Sequence, residues 1–569
     1  MSASQVFTPS TGNPLLDTVD GGRRWDGAIT YNRVDPLIQA ETGAFSGALP
    51  TPYQTAGLGL TNAMWELVDR SLVLLRGYAD FSHSITDGLD ANYFVSDFVN
   101  PDNRDTAGIA ARPGNTPILA YNRSTWDTYS DQQQAWIVLH ELGHTLGLQH
   151  PAGLAPALDF SQYTIMSYDW FSLGDEDFGE GLPLTPMALD IAVLQAKYGP
   201  TTANVTDTRY VLSRLAADTD GSDGMIQNGR GYICIWDTGG VDTLSYGGTT
   251  NALLNLNAAT LTPNVRTGDL ADVISDVAAS SRIFAALSTK TQAEIADPVA
   301  TAGGFFSSLV TGGTREAGGF TIANGARIES ASGGSGNDLL LGNEFANTLR
   351  GGAGLDELFG GSGDDSLDGE AGDDRAFGGF GADTIADAGG SNYLRGDEGD
   401  DRITGGSGFD DINGNMGADT GSGGLGEDWV VGGRDNDSLS GGEAYDLVYG
   451  NLGNDTCDGG AGADIVRGGQ QDDVLFGGAG DDYVSGDKDS DTVTGGLGAD
   501  IFHSFGDAGM DRVTDFSLAE GDRVQLDPGT TYTLAQSGSD TVISMAGGGQ
   551  MVLVGVQMSS LTAGWIFGA

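Results

Sequence analysis

Three of the chain's five histidines fall in one short stretch, His140-Glu141-Leu142-Gly143-His144-Thr145-Leu146-Gly147-Leu148-Gln149-His150. Side chains four positions apart on a helix sit one above the other, so His140 and His144 can offer two imidazole nitrogens to one ion. Glu141 stands beside them, placed to hold a metal-held water without itself being a ligand. Gly147 can end the helix cheaply, because glycine accepts a left-handed C-terminal conformation. The turn there can bring His150 back as a third ligand. Three protein ligands and one open position describe a catalytic zinc site; a structural zinc would be closed by four.

The element that must carry these groups is readable separately. Ser130 is placed as an N-cap and Gln133 completes a capping box, while Ile137, Val138, Leu142 and Leu146 supply an apolar face. Sixteen residues past His150 stands Met166, within Thr164-Ile165-Met166-Ser167-Tyr168. The two motifs together resemble the metzincins, in which a methionine-containing turn underlies the zinc. Pro151 after the third histidine, and Met166-Ser167-Tyr168, resemble the serralysin family of secreted bacterial proteases.

That resemblance implies zinc held by His140, His144 and His150, with Tyr168 as a further, movable ligand or transition-state partner. It implies Glu141 as general base and Met166 as the apolar floor of the site. The implied reaction is peptide hydrolysis. Zinc brings the pKa of its water toward about 7 and polarises the scissile carbonyl. Glu141 takes the proton and passes it to the leaving amine, while Tyr168 hydrogen-bonds the oxyanion. The substrate would lie along a sheet edge by main-chain pairing. The loop after His150 lacks the Asp-Tyr-Asn expected behind the family's His-Pro-Gly, a departure that falls on the substrate pocket and not on the metal.

The remaining chain must position and support this site. A length of 569 residues asks for several domains. A net charge of −53 excludes a general nucleic-acid surface, and such acidity leaves a chain disordered unless cations are available. Cys234 and Cys457 give no disulfide framework and read as small apolar side chains. No cysteine precedes the histidines, so a propeptide thiol on the metal is not expected. Met1 to Asp20 has neither the basic start nor the apolar core of a Sec signal, and no apolar run of about 18 residues predicts a transmembrane helix.

A helical pattern runs over residues 58–76, and strands are expected around Tyr93-Phe94-Val95 and Ile118-Leu119-Ala120-Tyr121. His83 reads as a surface or loop histidine. Thr185 as N-cap and Pro186 at the first helical position predict another helix, through Met187, Ile191, Leu194 and Tyr198 to a stop at Gly199-Pro200.

From Gly333 to His503 the chain repeats every nine residues without a slip, in nineteen units. Position eight is apolar in most units, with Gly421 a clear exception, and Cys457 also occupies it. The pattern matches the GGxGxDxUx repeat of calcium-binding parallel β-rolls. Glycines allow the tight loop, position eight points inward, and position six supplies a hard oxygen ligand. Those expected calcium ligands are Asp338, Asp356, Asp365, Asp374, Asp383, Asp401, Asp410, Asp419, Asp428, Asp437, Asp446, Asp455, Asp464, Asp473, Asp482, Asp491 and Asp500, with Asn347 and Asn392 in the other two units. The stretch holds 36 acidic and 7 basic residues, a net of −29, so it should fold only where calcium is available. Two units per turn give nine to ten turns, roughly 45 Å at about 4.8 Å per strand. Asp435, Ala444, Gln471 and Asp489 replace the glycine of position four, where calcium is expected to bind more weakly or not at all.

The expected fold is an α+β metzincin-like protease domain (1–205), a β-rich connection with a helical insertion near 265–318 (206–332), an all-β parallel β-roll of calcium-binding nonapeptide repeats (333–503), and a C-terminal cap (504–569). The family resemblance places an uncleaved type I secretion signal in that cap. The expected function is a secreted, extracellular zinc endopeptidase, with one catalytic Zn2+ and several structural Ca2+. Its partners would be protein or peptide substrates and the type I secretion machinery, with no nucleic acid and no transmembrane segment. The alternative is a surface-associated or dedicated processing protein whose long roll is the main working part.

Overall fold

The structure, a computed structural model, describes residues 4–7, 11, 14–17, 19–20, 22–26, 28–33, 62–86, 93–98, 108–110, 118–122, 126–151, 164–166, 182–202, 204–213, 225–228, 231–261, 269–296, 307–316 and 318–568. The chain forms two compact units. One comprises residues 1–246, 253–267 and 285–328; the other comprises 247–252, 268–284 and 329–569. An α+β arrangement in the first and a parallel roll in the second agree with the fold class read from sequence.

The first unit holds a five-stranded sheet in the order His83–Thr86, Ile29–Arg33, Tyr93–Phe98, Ile118–Asn122, Gly108–Ala110. All pairings are parallel except that of Gly108–Ala110, which runs antiparallel at one edge. His83 begins the opposite edge strand and is half-buried, so it is not a loop histidine. Helix Asn62–Arg76 follows from the spacing of Met64, Val68, Leu72 and Leu75, all buried along one stripe. It packs on helix Asp131–Thr145, whose Ile137, Val138, Leu142 and Leu146 are also buried.

A later helix of this unit, Ala188–Tyr198, starts further along than its sequence signals predict. Met187 is the N-cap, and Asp190 supplies the acceptor for its backbone N–H at 3.0 Å. Thr185 does other work: its hydroxyl accepts from the backbone N–H of Cys234 at 2.8 Å. A side-chain acceptor three residues into the helix replaced the expected hydroxyl cap. Cys234 itself is buried and unpaired to any sulfur, within strand Tyr232–Ile235, which runs parallel to Gly319–Ile322.

In the second unit the nonapeptide period becomes geometry. Each strand pairs in parallel with the strand two units on, as in Leu340 with Leu358 and Leu358 with Ala376. One face of the roll is built by the strands from Leu339–Leu341 to Ile501–Ser504, and the other by those from Thr348–Gly354 to Thr492–Leu497. Position-eight side chains from Leu340 to Phe502, Cys457 among them, fill the interior. At Gly421 the missing side chain is replaced by its neighbours: a Cβ there would fall 3.1 Å from Val430 and 3.2 Å from Leu439. Gly480 shows why the loop needs glycine, since its φ is +144° and a Cβ would fall 1.4 Å from the carbonyl oxygen of Gly462. Asp435, Ala444, Gln471 and Asp489 keep the left-handed loop conformation without glycine, with φ between 73° and 87°.

Helix Asp269–Ser280 lies against the roll at strand Glu357–Ser362. Past His503, Met510–Val513 and Arg523–Leu526 extend the two faces, and an antiparallel meander of Tyr532–Ser537, Asp540–Met545 and Gln550–Leu553 follows. Such a cap shields strand edges and apolar core that an open roll end would expose. No helix among the described residues is long and apolar enough to cross a membrane.

Candidate metal centre and carboxylate ladder

The histidine helix begins as a capping box: the Gln133 backbone N–H donates to Ser130 Oγ at 3.3 Å, and the Ser130 N–H donates to Gln133 Oε1 at 2.8 Å. It ends at Gly147, with φ +94°, where the Leu148 N–H reaches back to the Gly143 carbonyl at 2.9 Å. That turn places His150 over the helix end. His150 Nε2 lies 3.1 Å from His140 Nε2 and 3.0 Å from His144 Nε2.

Backbone carbonyls fix the other ring nitrogens. His140 Nδ1 sits 2.8 Å from the Ile165 oxygen and His144 Nδ1 sits 3.1 Å from the Leu148 oxygen. A carbonyl can only accept, so both Nδ1 atoms carry the proton and both Nε2 atoms present a lone pair. Burial, then the neighbouring His144, holds His140 well below the usual histidine range and keeps it neutral. Nitrogens on a tetrahedral zinc at about 2.05 Å lie roughly 3.3 Å apart. The residues therefore fit zinc: a converging set of lone pairs with oriented rings calls for a cation.

Glu141 is buried beside this set, accepts no hydrogen bond among the described residues, and burial raises its carboxyl to about 8. Met166 is fully buried beneath the helix. Its approach depends on Gly143, where an added Cβ would lie 2.9 Å from Met166 Sδ. Tyr168 and Ser167 lie outside the described residues.

Three side chains that position this centre were not assigned that role from sequence. Fully buried Asp190 accepts from Thr164 Oγ1 at 2.6 Å, from the Ile165 N–H at 2.7 Å and from the Met187 N–H at 3.0 Å. It thereby holds the segment whose Ile165 carbonyl orients His140. The signal was present as one carboxylate inside the apolar pattern Met187, Ile191, Leu194. At the other end of the helix, Trp25 Nε1 donates to the Thr145 carbonyl at 3.0 Å and Tyr198 Oη donates to the Leu146 carbonyl at 2.9 Å. The Gln149 N–H donates to the Val19 carbonyl at 2.9 Å, which anchors the turn leading to His150.

The roll carries a second set of candidate ligands. Through most of it, the position-six Asp accepts on Oδ1 from the backbone N–H one turn earlier, as Asp365 does from Asn347 at 2.7 Å and Asp437 from Asp419 at 2.8 Å. The Oδ2 atoms of Asp356, Asp365, Asp374, Asp383, Asp401, Asp410, Asp419, Asp428, Asp437, Asp446, Asp455, Asp464, Asp473, Asp482 and Asp491 are buried with no partner. Burial, opposed by the backbone hydrogen bond and reinforced by neighbouring carboxylates, pushes Asp365, Asp437 and Asp473 up to about 8. Buried, unpartnered, like-charged oxygens in a row fit calcium. Asp338 differs, because its Oδ2 accepts from the Gly334 N–H at 2.7 Å. Asp500 also lies in the row: its Oδ1 accepts from the Asp482 N–H at 3.0 Å, and its own N–H donates to Asp522 Oδ1 at 3.0 Å. Asp387 and Asp511, outside position six, present further buried orphan oxygens that the nine-residue pattern did not reveal.

Residues 332–367, 354–385, 387–421, 395–430, 422–457, 431–466, 458–493 and 467–502 match the family described as RTX calcium-binding nonapeptide repeat (4 copies). Among curated proteins, the chain is 33% identical over 227 residues to a serralysin of Photorhabdus laumondii, covering 37% of this chain and 37% of the relative. It is 31% identical over 263 residues to serralysin B of Dickeya chrysanthemi, covering 42% and 44% respectively. Metalloprotease AprA of Pseudomonas entomophila is 32% identical over 229 residues, covering 37% of each chain. The chain thus spans less than half the length of the curated relatives it matches.

Proposed function

We propose that this chain, a serralysin-type relative that carries RTX calcium-binding repeats, is a secreted zinc-dependent endopeptidase stabilised by calcium. One observation carries the reading: three imidazoles converge within 4.8 Å, two with their second nitrogens tied to carbonyls, beside a buried carboxylate that has no other task. Zinc bound there by His140, His144 and His150 would supply Lewis acidity toward a carbonyl and acidify water.

The chain's own residues do the rest. Ile165 and Leu148 fix the two tautomers, and Asp190 holds Ile165 in place. Glu141, which burial alone keeps protonated and which would ionise beside a zinc cation, takes a proton on its carboxylate and delivers it to the leaving amine. Tyr168 is assigned its oxyanion role by family resemblance. The antiparallel edge strand Gly108–Ala110 packs against the histidine helix and offers its outer side to an extended peptide. Protein or peptide substrates are therefore bound chiefly through main chain. Calcium held along the position-six ladder folds the roll in the extracellular medium, after export through type I machinery.

The test is hydrolysis of casein and a peptide library by the calcium-loaded chain beside Glu141→Ala, with zinc measured in both. The expected result is about one zinc per chain in each and a 10²–10⁴-fold loss of turnover in the variant. Zinc-loaded wild type that cleaves nothing would overturn the proposal.

A further inference from the structure

The repeat prescribes the inside of the roll but not its outside, and the two faces differ. On the strands from Glu357–Ser362 to Tyr483–Asp487, seven aromatic residues occur: Phe359, Phe377, Phe380, Tyr393, Trp429, Tyr449 and Tyr483. The opposite face, from Thr348–Gly354 to Thr492–Leu497, has only Phe476 among rows of serine and threonine. A period of nine would treat the faces alike, so this asymmetry has another origin.

The aromatic face is also preset for polar contact. Arg395 lies 3.5 Å over the Tyr393 ring and donates to Asp411 Oδ1 at 2.9 Å. Arg467 makes two bonds to Asp487, each 2.9 Å. Trp429 and Phe380 are each 49% exposed. Two surface cavities of about 610 and 630 Å³ lie along this face and share Asn415 and Arg434, which makes them one trough.

Charge identifies the occupant. The strands of this face carry Arg375, Arg395, Arg434 and Arg467 against Glu357, Asp397, Glu398, Asp411 and Asp487, a balance of −1. The whole repeat carries −29. A polyanion would meet repulsion from the surrounding loops and no excess of cations on the face. A second copy would bring together two chains of −53. A peptide has no open strand edge here, because each strand is already paired on both sides along the ladder. Flat rings interleaved with Arg–Asp pairs and amides match a ligand that is apolar on its ring faces and rich in hydroxyls at its rim.

We propose that the aromatic face of the roll binds a neutral polysaccharide along the trough between Phe377 and Arg467, so that the roll anchors the chain to glycan. Locked Arg395 and Arg467 lower the ordering cost of binding.

The test is affinity electrophoresis of the calcium-loaded full chain through gels containing neutral glucans, mannans or xylans, with a uronic-acid polymer in parallel. Retardation by a neutral polymer that persists in high salt is expected, with about tenfold weaker binding in Trp429→Ala and in Phe380→Ala. Ser438→Ala on the opposite face should leave retardation unchanged, and calcium-dependent circular dichroism should match wild type in all three. Four results overturn the proposal: no retardation by any neutral polymer, retardation by the polyanion alone, unchanged retardation in both aromatic variants, or a dimer in sedimentation that Trp429→Ala converts to monomer.

Discussion

Asp190 is the residue whose removal tests the positioning argument most directly. Truncation in Asp190→Ala leaves the Ile165 N–H, the Met187 N–H and the Thr164 hydroxyl buried without their acceptor. Each such loss costs about 1–3 kcal/mol, and relief from burying a carboxylate offsets part, for a net of about 3–5 kcal/mol. Asp190→Asn should cost much less. Its oxygen can replace Oδ2 toward both backbone donors, and its amide can donate to Thr164 Oγ1. Burial raises the Asp190 carboxyl to about 6 despite three hydrogen bonds to it. A folded pKa above the unfolded value means that the native state binds the extra proton. Wild type should therefore lose stability relative to Asp190→Asn as pH rises from about 4 through 6, with a constant difference above that range. Denaturant unfolding followed by tryptophan fluorescence measures stability, and competition with a chelator measures zinc affinity. Because Ile165 orients His140, the alanine variant should also bind zinc about 10–100-fold more weakly. An alanine variant within about 1 kcal/mol of wild type, with unchanged zinc affinity, would refute the chain of contacts from Asp190 to His140.

Further outcomes follow from neighbouring contacts. Gly143→Val would drive a side chain into Met166 Sδ and Leu148, costing about 1–3 kcal/mol by overpacking and weakening zinc, read by the same two assays. Glu357→Ala would leave the Arg282 N–H, now 2.7 Å from Glu357 Oε1, and the Ser281 hydroxyl without an acceptor. A loss of about 2–4 kcal/mol is expected, with faster hydrogen exchange over 269–284 and little change in the later repeats. Chelation of calcium should abolish the β signal of the roll and restore it on readdition; a roll that keeps its circular dichroism in chelator would contradict the ladder of orphan carboxylate oxygens.

What could be read from the sequence follows the range of the interaction that determines it. Helix Asp131–Thr145 declares itself through contacts three or four residues apart: Ser130 with Gln133, Gly147 with the last turn, and an apolar stripe between them. The roll declares itself because one local device repeats nineteen times. The start of helix Ala188–Tyr198 was misplaced because Asp190 serves as both its cap and the acceptor for Thr164 and Ile165, twenty-five or more residues away. A local rule weighs the hydroxyl of Thr185 against the thioether of Met187 and finds the former the better cap; it has no term for a carboxylate already committed to another segment. His83 reads as a surface or loop histidine for the same reason, since its strand exists through pairing with Ile29–Arg33, far away in the chain. The outer face of the roll escapes period analysis altogether. Each aromatic is unremarkable within its own nonapeptide, and only the stacking of alternate units places Phe377 beside Tyr393 with Arg375 reaching over both rings. Residues that answer to the repeat can be counted along the chain, whereas residues that answer to a ligand become a pattern only after every second strand has been laid side by side.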